Sequence, residues 1–179
     1  IVFNGNGYAP EWAEEAEHRG LPNLPTMVDA IPALTTEKAV RLFGEFDVFT
    51  KSELESRAEI KYENYSKAVN IEAKTMIDIA TKQIIPAVIK YTSVLADSVN
   101  SVKAAGEGLL EVSVQMDLLK KTSKLLKSTN SAMSKLSKAV GRIYEYEEGR
   151  DRAVYCKEKI VPAMEALREP VDELEMIVD

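Results

Sequence analysis

The sequence predicts a mainly α protein in which short N-terminal elements lead into a bundle of about three long antiparallel helices, coiled-coil-like in packing. Three observations predict it. Between Glu45 and Ala105 there is no glycine and only one proline, Pro86, so the two commonest helix breakers are nearly missing. Mostly apolar or aromatic residues recur through that stretch in steps of three and four, the spacing of one helix face. After Gly106 and Gly108 the steps settle into a heptad at Leu109, Val112, Met116, Leu119, Ser123, Leu126, Asn130, Met133, Ser137, Val140 and Tyr144.

The elements follow in order. Pro10 suits a first helical turn, Glu11, Glu14 and Glu15 favour its positive end, and Gly20 follows Arg19 as a stop, which gives a short helix over Glu11 to Arg19. Leu21-Pro-Asn-Leu-Pro25 reads as an extended connector, followed by short helices over Met27 to Leu34 and Glu37 to Glu45. Thr50 and Glu53 have capping-box spacing, with Phe49 and Leu54 at the staple positions. From there Ala58, Tyr62, Tyr65, Val69, Ala73, Met76, Ala80, Ile84, Ala87, Tyr91, Val94, Ser98 and Val102 define one face. An unbroken helix from Lys51 to Lys103 would be about 80 Å long, too long for a compact domain of this size to hide. Pro86 lacks an N–H and crowds the carbonyl four residues back, so a kink is expected near Lys82 to Pro86. After breaks at Gly141 and Gly149, a third helical pattern runs from Asp151 to Val178. The expected division is 1–49 as a connector with short helices and 50–179 as the long-helix bundle.

Composition narrows the function. With 179 residues and a formal charge of −6, the chain has room for a real core and no overall excess of bases for nucleic acid. Its apolar runs, such as Ile84 to Ile89 around Pro86, fall far short of the roughly 18 residues a membrane span requires. No nucleic-acid or membrane partner is therefore expected. Cys156 stands alone and no secretory pattern is present, which points to the cytoplasm. The opening Ile-Val-Phe-Asn, without an initiator methionine, suggests part of a longer chain.

No constellation for self-contained catalysis emerges: no catalytic, cofactor-binding or metal-binding residue is assigned. Asn4-Gly-Asn-Gly7 begins like a phosphate-cradling loop, but Pro10 occupies the place of a third glycine, so a turn leaving a strand is the better account. His18, beside Glu14 and Glu15, reads as a surface residue, and Cys156 as a half-buried packing thiol despite Lys157 and Lys159. Lys120, Lys121, Lys124, Lys127, Lys135, Lys138 and Arg142 form a basic stretch without an acid, whose simplest partners are Glu53, Glu55, Glu59, Glu63 and Glu72 of the preceding helix. It lacks aromatics that would stack bases until Tyr144, so a protein-facing role leads over anionic lipid or nucleic acid. Ile84-Ile-Pro-Ala-Val88 and Ile160-Val-Pro-Ala-Met164 echo each other, either by chance, the simpler reading, or as two kinked helices lying side by side.

Residues of another kind carry a resemblance. Asn4-Gly-Asn-Gly-Tyr8, Glu11-Trp12, Glu15-Ala-Glu17 and Arg19-Gly-Leu21 resemble the stretch that follows the catalytic domain in type III glutamine synthetases. Glu37-Lys38, Val48-Phe-Thr50, Glu63-Asn-Tyr65, Ile71-Glu-Ala73, Thr75-Met-Ile77, Ile84-Ile-Pro-Ala87 and Pro162-Ala-Met-Glu-Ala-Leu-Arg168 are similar to that family's C-terminal region in order and approximate spacing. The resemblance implies a region of a cytoplasmic ligase that joins ammonia to glutamate with ATP and magnesium, bound elsewhere in the parent enzyme. It also implies the catalytic domain of the same chain as partner, a homo-oligomeric parent, and a role in assembly and support. This region is expected to be inactive alone. An independent helical interaction module remains the alternative.

Overall fold

The computed structural model describes residues 3–178 and contains no strand among them. The chain divides into two compact units, Ile1–Tyr62 and Glu63–Asp179.

In the first unit, α1 (Pro10–His18) begins on a proline and stops where the sequence places the stop. Gly20, at φ 75°, lets its own N–H reach the Glu17 carbonyl at 2.9 Å and that of Leu21 reach Ala16 at 2.9 Å. This pair of bonds takes up the last carbonyls of the helix. The next element begins as α2 (Met27–Ala30), capped by the Thr26 hydroxyl accepting from Asp29 N–H at 3.2 Å, and tightens into a 3-10 turn at Ile31–Thr35, where Pro32 enters. Helix α3 (Glu37–Glu45) is capped by Thr36. It closes through Asp47, a non-glycine residue at φ 52°, with Val48 N–H bonded to Phe43 O at 2.9 Å.

The capping box at Thr50 is present. Thr50 N–H donates to Glu53 Oε2 at 2.7 Å, and Glu53 N–H donates to the Thr50 hydroxyl at 3.3 Å. The Thr50 N–H, together with the Thr50 hydroxyl donating to the same oxygen at 2.8 Å, holds the Glu53 carboxyl below its ordinary value. It opens α4 (Lys51–Ile79), whose Leu54, Ala58 and Tyr62 are buried in this unit, as are Val28 and Ile31. Phe49 lies against the ring of Phe43 at 5.6 Å and under the guanidinium of Arg57 at 4.2 Å.

In the second unit Pro86 does not interrupt the helix. A π turn at Ala80–Ile84 precedes it, closed by Ile85 N–H on Ala80 O, and α5 (Ile85–Ala105) continues from there. A π turn takes one more residue per turn than an α-helix. The inward face is displaced accordingly: Val69, Ala73 and Ala80 are buried where expected, but beyond the turn Val88, Leu95 and Val99 are buried, and Ala87 and Val94 are exposed.

In helix α6 (Ser113–Gly141) one column of the expected seam is displaced by one residue, while in the other Val140 is buried and Leu119, Leu126 and Met133 are half-buried as expected. Thr122, Thr129, Leu136 and Ile143 are buried, whereas Ser123, Asn130, Ser137 and Tyr144 are exposed. Threonine suits these positions because its hydroxyl bonds back along the helix, Thr122 to Leu118 O at 2.7 Å and Thr129 to Leu125 O at 3.0 Å. Helix α6 packs against both α5 and α8, so it buries a broader arc than a two-stranded seam.

A 3-10 turn at Ile143–Glu145 leads to α7 (Arg150–Tyr155), a second π turn at Cys156–Ile160 and α8 (Val161–Glu175). Val161 N–H bonds Cys156 O directly before Pro162, as Ile85 bonds Ala80 before Pro86. The two echoing segments thus share one local conformation. Their helices meet, since Met76, Ala80 and Ile84 line a cavity of about 120 Å³ with Leu167 and Val171. The π turns stand at different heights, however, because Cys156 has the Ser66 side chain as its hydrogen-bond partner. The core joins Val69, Ala73 and Ala80 to Leu136, Val140, Ile143, Tyr155, Cys156, Ile160 and Leu167.

Candidate interaction surface

Helix α6 carries the most concentrated charge. At about 100° per residue, Lys120, Lys124, Lys127, Lys135 and Lys138 all fall about 140 to 220° from buried Thr122, so they form one stripe opposite the packed face. Arg142 continues it at the helix end. Every one of these side chains is exposed. Of the acids expected to neutralise them, Glu53 caps its own helix, Glu55 pairs with Lys51 and Glu63 with Lys67, and Glu59 and Glu72 make no ion pair among the described residues. Lys120 pairs with Asp117 at 3.4 Å, Arg142 with Glu145 at 2.9 Å, and Lys121, off the stripe, with Glu173 of α8 at 3.6 Å. Among the described residues Lys124, Lys127, Lys135 and Lys138 make no ion pair.

Where α6 meets α8, Lys121 and Lys124 face Glu169 and Glu173 across a groove of about 370 Å³ with Leu125, Ser128, Ala166 and Pro170 in its walls. The outer face of α8 is acidic. Glu165, Glu169 and Asp172 lie about 140 to 200° from buried Leu167. Asp172 receives Arg168 at 3.1 Å. This acidic row escaped the sequence reading, although its four-then-three spacing was available there.

Apolar surface is exposed at the turn between α5 and α6. Leu109 is 88% exposed, Val114 70% and Leu110 53%. Glu107 and Gly108, at φ 49° and 84°, form the turn, and Gly108 N–H closes on Lys103 O at 3.0 Å. In the first unit, Leu24, Pro25, Met27, Ala30, Ile31 and Leu34 line a groove of about 400 Å³.

The remaining singled-out residues are simpler. In Asn4-Gly-Asn-Gly7, the Asn6 side chain accepts from Tyr8 N–H and the Asn6 carbonyl from Ala9 N–H, both at 3.0 Å, which makes a turn. Ile1 and Val2 of the strand expected before it lie outside the described residues. His18 is exposed at the end of α1, and Glu15 pairs with Arg19. Cys156 is fully rather than half buried, and burial pushes its thiol pKa up, opposed by the Ser66 hydrogen bond and Arg152. That environment opposes thiolate formation.

At the far end of α6, Lys74 and Arg152 lie over the Tyr144 ring at 6.0 and 5.5 Å, and Asn70 Nδ2 donates to its hydroxyl at 3.4 Å. Among the described residues no three His, Cys, Asp or Glu side chains gather to hold a metal ion. Many of the carboxylates are instead engaged in ion pairs three or four residues along one helix. Such dispersed groups do not fit a magnesium–nucleotide site. No described helix is long and apolar enough to cross a membrane.

Residues 1–103 match a family model described as "Glutamine synthetase C-terminal domain". The chain is 33% identical over 178 residues to "Glutamine synthetase" of Butyrivibrio fibrisolvens, covering 99% of this chain and 25% of that protein. It is 32% identical over 182 residues to "Type-3 glutamine synthetase" of Dictyostelium discoideum, covering 100% and 25% respectively. A third relative, "Glutamine synthetase" of Bacteroides fragilis (strain YCH46), is 29% identical over 183 residues. The chain thus spans about a quarter of the length of the curated relatives it matches.

Proposed function

The chain belongs to the glutamine synthetase C-terminal domain family, and from that premise we propose that it is the non-catalytic helical region of a type III enzyme, serving assembly and support of the catalytic domain. The parent polypeptide joins ammonia to glutamate at the expense of ATP. Its nucleotide and magnesium ions are held outside these residues, and it works in the cytoplasm as a homo-oligomer. Residues 1–49 connect to the catalytic domain, and 50–179 supply the bundle.

The supporting contacts suit three antiparallel segments. Asn70 meets Tyr144 while Thr81 meets Met133, so advance along α4 matches retreat along the return segment. Tyr155 meets Ala139 while Lys121 meets Glu173, which gives the same relation between α6 and the last segment. Such a bundle carries its connecting turn to one end. The observation that carries the assembly role is the exposed apolar cluster Leu109, Leu110 and Val114 at that turn. Large apolar side chains held in water by two long helices mark a contact surface.

The test replaces all three with serine in the full-length protein. Lower mass by light scattering, with the circular dichroism spectrum retained, is the expected result. Unchanged mass at every concentration would refute the role of this surface. Separately, residues 1–179 alone should form no glutamine from glutamate, ammonia, ATP and magnesium, and measurable turnover would refute the non-catalytic assignment.

A further inference from the structure

We propose that the basic stripe of α6 docks onto the acidic row of α8 in a second copy of this chain, through Lys135, Lys138 and Arg142 against Glu165, Glu169 and Asp172. This rests on the assembly reading and names the surfaces involved.

The two rows are complementary in charge, position and spacing. Each lies opposite the packed face of its helix and is exposed in this chain, with Glu169 also bordering the groove toward α6. The acids are spaced four and then three residues apart. Read in reverse, Arg142, Lys138 and Lys135 have the same spacing, so two helices approaching antiparallel bring the three pairs level. Lys135 and Lys138 have no ion pair among the described residues, and Glu165 and Glu169 have none either. Arg142 and Asp172 are held only by neighbours on their own segments, Glu145 and Arg168.

A second copy suits the stripe better than an anionic polymer or bilayer. The serines between the lysines offer neither stacking area nor apolar insertion. A helix of a second copy presents its three carboxylates at a fixed spacing that matches Arg142, Lys138 and Lys135, which a mobile phosphate surface does not.

The test is charge exchange in the full-length protein. Lys135→Glu with Lys138→Glu, or their partners Asp172→Lys with Glu169→Lys, should each raise the concentration for half-assembly by about tenfold or more, because attractive contacts become repulsive. A chain carrying both exchanges should regain assembly, and so should an equimolar mixture of the two variants. Moving from 50 to 500 mM NaCl, about a threefold contraction of the Debye length, should weaken the wild type and the doubly exchanged chain alike. All four positions are exposed, and an unchanged helical circular dichroism spectrum verifies that folding is retained.

Unaltered mass in either charge variant, or failure of the double exchange to restore it, overturns the proposal. Wild-type binding to phosphatidylserine vesicles that Lys135→Glu/Lys138→Glu abolishes, with assembly intact, overturns it in favour of a lipid surface. If the serine variant of Leu109, Leu110 and Val114 loses mass while the charge variants keep theirs, only this pairing fails. If neither set changes the mass, the assembly reading fails with it.

Discussion

The π turn before Pro86 makes a prediction about chain length. In the wild type Val88 follows Ala80 by one residue more than two helical turns, and the i→i+5 bond from Ile85 to Ala80 absorbs the excess. Deleting exposed Gln83 removes that excess and leaves Val88, Leu95 and Val99 facing inward. With Pro86 retained in a regular helix, the deletion should cost about 3 kcal/mol, from the lost bond and the clash with the preceding turn. With Pro86→Ala added, stability should return to within about 1 kcal/mol of wild type. Deleting exposed Lys90 is the control. It rotates everything beyond it by about 100° and turns Leu95 and Val99, now 8% and 5% exposed, away from α6. Losing the burial of both side chains should cost about 3 to 6 kcal/mol. Urea unfolding followed by circular dichroism measures all three variants. A Gln83 deletion with Pro86→Ala as damaging as the Lys90 deletion would refute the reasoning, as would a harmless Gln83 deletion that keeps Pro86.

Other expectations concern the second unit's core. Leu136→Ala removes a fully buried side chain and should cost about 2 to 5 kcal/mol by the same urea assay. Thr122→Val and Thr129→Val should be neutral or slightly stabilising, within about 1 kcal/mol, because the carbonyls they release keep their helical amide partners. Cys156 should resist an aromatic disulfide reagent at pH 8 in the folded protein and react once urea unfolds it; fast native reaction would contradict its burial. Because burial raises the folded thiol pKa above its ordinary 9.0, its contribution to stability is complete below that value and lost as pH rises through the folded value. Melting temperature should accordingly fall less above pH 9 in Cys156→Ala than in wild type.

Much of this architecture could be read from local chemistry. The stop at Gly20 and the box at Thr50 and Glu53 depend on short-range backbone bonds, and both are present. What escaped depends on helical phase over long distances. The Pro86 expectation placed a disturbance near Lys82 to Pro86, and a widened turn stands there; what it did not foresee is the change of phase, by which Val88, Leu95 and Val99 are buried in place of Ala87, Val94 and Ser98. In α6, the columns containing Thr122 and Ser123 looked equally polar. Threonine can return its hydroxyl to the carbonyl four residues back and pack its methyl inward, which decides between them. The echo around Pro86 and Pro162 seemed too short to mean a repeat, yet both copies encode the same widened turn.

The pairing of Phe3 with Trp12, at 4.8 Å and with Arg19 about 6 Å from each ring, has a spectroscopic consequence. Trp12 is the chain's only tryptophan and belongs to the first unit, so indole emission follows that unit, while most of the far-ultraviolet helical signal comes from the second. Two probes on one sample therefore separate the unfolding of the two units without labels. Superimposable curves would mean that they melt as one cooperative body, and separated curves would rank their stabilities.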